Sequence, residues 1–284
     1  MKTENIITLS DGRKLAYAEY GDPKGKPLFY FHGWPGSRLR SGFYDKIATK
    51  LHIRIISPDR PGYGLSDYKK NRTLLDYPDD MVELADKLKI KKFAIVGVSG
   101  GGPYAAVCAY KIPERIAKAG IVVGLAPTHI PGNLDGMPLV YSFGWRYYSK
   151  LPLIAYIGSW YHSIEAKYFP TLFSKIMFLS KSDQKMIHEV EKGLAVTSRE
   201  AFRQGYKGPA KDLLLYTNNW GFDLRKIKAK VYLWFGEDDK NVPLVMGKYF
   251  AKQIPGSKLT VYPGEGHLIS ITHASEIFEE LVKV

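Results

Sequence analysis

The chain has 284 residues, 45% of them apolar and 24% charged, a globular composition that excludes a disordered chain. Its single cysteine, Cys108, excludes an internal disulfide framework and a cysteine-rich zinc site. The longest apolar run is far shorter than the roughly 20 residues that span a bilayer, so no membrane insertion is expected, while a net charge of +13 is compatible with an anionic partner.

The N-terminus carries an early acid, Glu4, and no apolar signal core, so a cytoplasmic location is expected. Residues 15–20 alternate in the manner of an early antiparallel strand. Short continuous apolar runs follow at 28–31, 53–56, 93–96, 116–123, 231–235 and 259–262, each bounded by Gly, Pro or Asp. Continuous runs of this length suit a parallel sheet covered by helices on both faces. Helical patterns lie between them at 44–51, 78–88, 103–111, 245–253 and 275–284. The alternation predicts a doubly wound α/β fold.

Residues 128–217 break that rhythm. The stretch is aromatic and helix-like, and too long for a structureless connection. It is read as a helical cap inserted into a core formed by 1–127 and 218–284. Its aromatics include Tyr147, Tyr148, Trp160, Tyr161, Phe169, Phe173 and Phe178, most of them expected to pack on the core.

Gly97-Val98-Ser99-Gly100-Gly101 fits G-x-S-x-G, with an apolar strand running into it and a helical pattern leaving it. That setting marks a nucleophile elbow, with Ser99 as the nucleophile. Gly97 and Gly101 remove Cβ atoms that would block so tight a turn. A nucleophilic Ser needs a base and an orienting acid. Of seven histidines, His267 sits in a loop leaving the last strand. His52 precedes a strand, His129, His162 and His188 fall in the cap, and His273 begins the terminal helix. The strand 231–235 ends in Gly236-Glu237-Asp238-Asp239, and the residues alone leave three carboxylates open.

With Ser99, an acid and His267 in that chain order, the sequence resembles the α/β-hydrolase fold superfamily, specifically its capped esterase-like and lipase-like serine hydrolases. The resemblance spans nearly the whole chain. It is strongest in His32-Gly33-Trp34-Pro35-Gly36, in 59–66, in the elbow, and in 236–243 together with Gly266-His267. It implies Asp239 as the triad acid, three residues after the strand-ending Gly236, with Asp238 as the alternative. It also implies backbone N–H groups of Trp34 and Gly100 as the oxyanion hole, with the Trp34 side chain a pocket-lining candidate. Pro35 has no N–H to offer. His32 is expected to shape its loop by hydrogen bonding, and Asp59 and Arg60 to be structural.

The expected activity is hydrolysis of a carboxylic ester of a small or medium, apolar substrate, with no cofactor and no metal. Ser at the elbow sets the chain apart from dehalogenases and epoxide hydrolases, which place Asp there. Proline iminopeptidases typically carry His-Gly-Gly-Pro-Gly and Gly-Gly-Ser-Trp-Gly, from which Trp34, Val98 and Gly100 depart. An aminopeptidase of that kind remains the alternative, beside a small-molecule receptor that retains the triad with little turnover. Hydroxynitrile lyases and cofactor-free haloperoxidases or perhydrolases reuse the same triad, so the motifs do not exclude them. No nucleic-acid motif is present, and a monomer or homodimer is expected. The basic residues cluster where strands begin: Lys89, Lys91 and Lys92 before 93–96, and Arg225, Lys226, Lys228 and Lys230 before 231–235. If those strands are parallel, this belt faces away from the active site. The cap holds 11 basic and 7 acidic residues, so the charge reads as a solubilising rim.

Overall fold

The computed structural model describes residues 2–171 and 180–283; Phe173, Phe178 and Val284 lie outside the described residues. Alternation along its strands sends successive side chains into two separate cores. In β3 (Lys26–Phe31), Phe29 and Phe31 enter one core while Leu28 and Tyr30 enter the other. Helices α2 (Tyr77–Lys87) and α3 (Gly102–Lys111) cover the first face. Helix α1 (Asp45–Lys50) and a C-terminal helix cover the second. Burial on both faces is why these strands read as unbroken apolar runs.

The remaining strands are β1 (Lys2–Thr8), β2 (Lys14–Gly21), β4 (Ile53–Pro58), β5 (Phe93–Val98), β6 (Ile116–Val122), β7 (Val231–Gly236) and β8 (Lys258–Tyr262). They form one sheet in the order β1-β2-β4-β3-β5-β6-β7-β8. Strands β3 to β8 are mutually parallel, and β2 pairs antiparallel with β1 and β4. Sequence reasoning missed β1. It pairs on one side only, and its residues alternate between exposed and half-buried with none fully buried, so it carries little apolar signal. Because β3 to β8 are parallel, the basic clusters at 89–92 and 225–230 lie at the strand N-terminal edge. The loops carrying Trp34, Ser99, Asp239 and His267 leave the opposite edge.

Between β6 and β7 run four described helices: α4 (Leu139–Tyr147), α5 (Pro152–Tyr168), α6 (Lys181–Ala201) and α7 (Lys207–Thr217). The chain closes with α8 (Leu244–Gln253), the short α9 (Ile269–Thr272) and α10 (Ala274–Val282). One expectation fails here. Trp160, Tyr161 and Phe169 are at least half exposed and Tyr147 is also exposed, so these aromatics do not pack on the core. Their helices present small residues such as Ala155, Ser159 and Ala166 inward instead.

Candidate active site

The turn from β5 into α3 places Ser99 at φ +55°, a left-handed conformation that strains a residue with a Cβ. Close approach makes that turn possible. A Cβ on Gly97 would lie 2.2 Å from the Gly101 carbonyl oxygen, and one on Gly101 would lie 2.1 Å from that of Phe31. Neither contact is physically allowed, so both positions require glycine. The loop after β3 crosses directly over this turn: a Cβ on Gly33 would sit 3.2 Å from the Ser99 Cβ. A Cβ on Gly100 would sit 3.1 Å from the Trp34 backbone nitrogen. The two backbone segments expected to supply oxyanion donors therefore adjoin each other beside Ser99.

At the end of β7, Asp239 is buried whereas Glu237 and Asp238 are exposed. Asp239 Oδ2 lies 2.7 Å from His267 Nδ1. Its other oxygen accepts the N–H groups of Asn241 and Val242 at 2.8 and 2.9 Å. Asp238 makes no such contact with His267; its backbone N–H bonds the Glu265 carbonyl. Burial by itself would lower the proton affinity of His267. The Asp239 charge and hydrogen bond, with a further contribution from Asp183, carry it above the ordinary imidazole value, and Arg40 opposes them. Ser99, His267, Trp34 and Gly100 all line one cavity of about 330 Å³. Its wall also takes Val140, Trp145, Tyr148 and Tyr161 from α4 and α5 and their flanks. Trp34 faces this cavity with its indole N–H bonded to the Pro209 carbonyl at 3.0 Å.

The other histidines stand apart from this pairing. His52 is exposed at the far edge beside Asp22, and His273 stacks on Tyr262 and bonds Glu265. His162 lines the cavity but is paired with Glu165 at 2.9 Å. His32 is fully buried, and burial followed by the charge of Arg60 holds its pKa well below the usual value. The neutral ring donates from Nδ1 to the Gly33 carbonyl at 3.0 Å. Among the described residues, no group of three or more His, Cys, Asp or Glu side chains is placed to hold a metal ion.

Three side chains that sequence reasoning did not single out reach from the inserted helices into the loops of the site. Asp183, in the first turn of α6, accepts the backbone N–H groups of His267 and Leu268 at 2.9 and 2.8 Å. Thr197 accepts the Ser37 N–H at 2.9 Å. Asp212 of α7 is fully buried against Arg60 and Arg72 and accepts from the hydroxyls of Tyr63 and Tyr104 at 2.7 and 2.6 Å. Burial would raise its pKa, but Arg72 and then Arg60 force it far below the carboxylate range. Arg60 in turn donates to the carbonyls of His32 and Gly33, so Asp212 anchors the loop that presents the Trp34 N–H. At Asp212 the one signal is weak, an acid beside Lys211 at the head of the apolar run 213–215. Asp183 offered none, because acids in a first helical turn are common.

Residues 28–280 match the Alpha/beta hydrolase family, and the chain belongs to it. It is 27% identical over 291 residues, covering 97% of each chain, to a bifunctional esterase/perhydrolase of Acinetobacter calcoaceticus. Among solved structures it is similar to a bromoperoxidase from Bacillus anthracis, with TM-score 0.76 and 20% identity over 99% of this chain and 100% of that one. An esterase from Exiguobacterium antarcticum gives TM-score 0.70 and 21% identity over 99% and 98%.

Proposed function

We propose that the protein is a serine hydrolase that cleaves a carboxylic ester of a small or medium, apolar substrate. The observation that carries this reading is the 2.7 Å Asp239–His267 pair opening onto the same cavity as Ser99. Ser99 attacks the ester carbonyl while His267 takes its proton at Nε2, and Asp239, bonded at Nδ1, holds the ring tautomer this requires. The backbone N–H groups of Trp34 and Gly100 receive the developing oxyanion. Alcohol departs with the proton from His267, and water activated by the same ring releases the acid. Residues 128–217 act as a cap over the core of 1–127 and 218–284, and their aromatic side chains set the acyl pocket.

The relative named esterase/perhydrolase supports a second use of the same acyl-enzyme, with peroxide in place of water as acceptor. A panel of p-nitrophenyl esters of rising acyl length, with one aminoacyl-proline substrate, tests the reading. Multiple turnover of short esters abolished in Ser99→Ala is expected. Near-full activity in that variant sinks it, and turnover of the aminoacyl-proline substrate alone would favour an aminopeptidase. Binding without turnover would favour a receptor.

A further inference from the structure

The large apolar side chains that this protein leaves exposed are concentrated in one place. Of thirteen among the described residues, eleven lie between residues 139 and 169, on α4, α5 and their connection. Helix α5 is inverted relative to a helix packed on a soluble core. Leu153, Ile157, Trp160 and Tyr161, spaced four, three and one residues apart, face outward at 69%, 53%, 50% and 58% exposure. Ala155, Ser159 and Ala166 face the protein. Scattered surface hydrophobics are ordinary, but a contiguous patch of this kind marks a docking surface.

Charge identifies the occupant. Between 138 and 170 the exposed charged residues are Arg146, Lys150 and Lys167, and the lone acid, Glu165, is buried against His162. The Lys150 and Lys167 ammonium groups sit over the rings of Tyr147 and Tyr168 at 5.9 and 5.0 Å. Basic groups beside Trp, Tyr and Leu suit the boundary between anionic headgroups and acyl chains. A second copy of the chain fits poorly, since an isologous contact would bring this same cationic face against itself.

We propose that the α4–α5 face docks on the surface of an anionic lipid bilayer without spanning it. Val140 and Tyr161 belong both to this exposed face and to the cavity wall, so docking places the cavity mouth at the lipid boundary. The proposal goes beyond the catalytic reading and does not rest on it, because binding is read without turnover.

Co-sedimentation with phosphatidylcholine vesicles, and with phosphatidylcholine mixed with phosphatidylglycerol, tests it at low and moderate salt. The protein is expected to pellet with the mixed vesicles and far less with phosphatidylcholine alone. Leu153→Glu and Trp160→Glu, both at exposed positions, should each weaken binding by about tenfold or more. Lys150→Glu should weaken it by at least about fivefold. Lys91→Glu with Lys92→Glu, on the opposite edge, should leave the partition nearly unchanged. Failure to pellet with mixed vesicles at low salt overturns the proposal. So does full binding by Leu153→Glu, or binding lost only in the Lys91/Lys92 variant. A stable dimer that Leu153→Glu splits, with no vesicle binding, overturns it in favour of a second copy.

Discussion

The sheet core and the helical insertion solve opposite problems with similar residues. In the core, apolar side chains alternate into two buried layers, and reactive groups are held at strand ends by their own loops. Asp239 illustrates this: one oxygen is fixed by the N–H groups of Asn241 and Val242, leaving the other for His267. In the insertion, α4 and α5 turn large apolar groups outward, while α6 and α7 bury most of theirs and send three polar side chains, Asp183, Thr197 and Asp212, inward to grip the core loops. On the proposed reading, the core supplies the chemistry, and the insertion supplies walls and clamps. A substitution in one region should therefore fail differently from one in the other.

The largest expected effect tests the core. Ser99→Ala should cost about 10⁴–10⁶ in kcat with little change in thermal midpoint. A comparable loss of stability would mean that the elbow is a structural device. Next, Asp212→Ala in the insertion leaves Arg60 and Arg72 buried without their carboxylate and should cost about 3–5 kcal/mol in urea unfolding. Its depressed pKa means that this contribution is present above the unfolded value of about 4 and is lost only as pH falls toward the folded one. A variant as stable as the parent would break the contrast.

A smaller effect is expected at Asp183. Asp183→Asn keeps one acceptor oxygen but sets an amide donor against a backbone N–H of the His267 loop. About a tenfold loss in kcat/KM follows from one unsatisfied buried donor. The acidic limb of the pH profile should also move to lower pH, because a negative charge that favours the imidazolium is gone. A role confined to packing would lower the thermal midpoint and leave the limb in place. Smallest is the wild-type profile itself. His267 acts as base only when neutral, and its pKa is raised, so kcat/KM should fall through a limb above about 6.5 as pH drops. A limb below that value would show that Asp239 does not govern the ring.

Much of the site is legible in the amino-acid sequence because its parts are local. The elbow announces itself through glycines whose Cβ atoms would strike Gly101 and Phe31 backbone. Between Asp238 and Asp239 the residues alone are silent, and the pairing with His267 separates them by burial. Edge strand β1 is illegible since an unburied strand needs no apolar pattern. The outward face of α5 is illegible for a related reason: an apolar stripe records that a surface is removed from water or meets another apolar surface, and does not say which.

Sequence by itself determined the parallel sheet, the elbow at Ser99 and a carboxylate somewhere in 237–239 ahead of His267, since short-range sterics and burial periodicity write strands and tight turns into neighbouring residues. Tertiary structure alone decided that Asp183 holds the His267 loop from 84 residues away, and that Asp212 anchors the Trp34 loop through Arg60. A carboxylate carries no sequence mark of its partner when that partner is a distant backbone N–H or a buried guanidinium. Only the packing that removes water from both creates the contact.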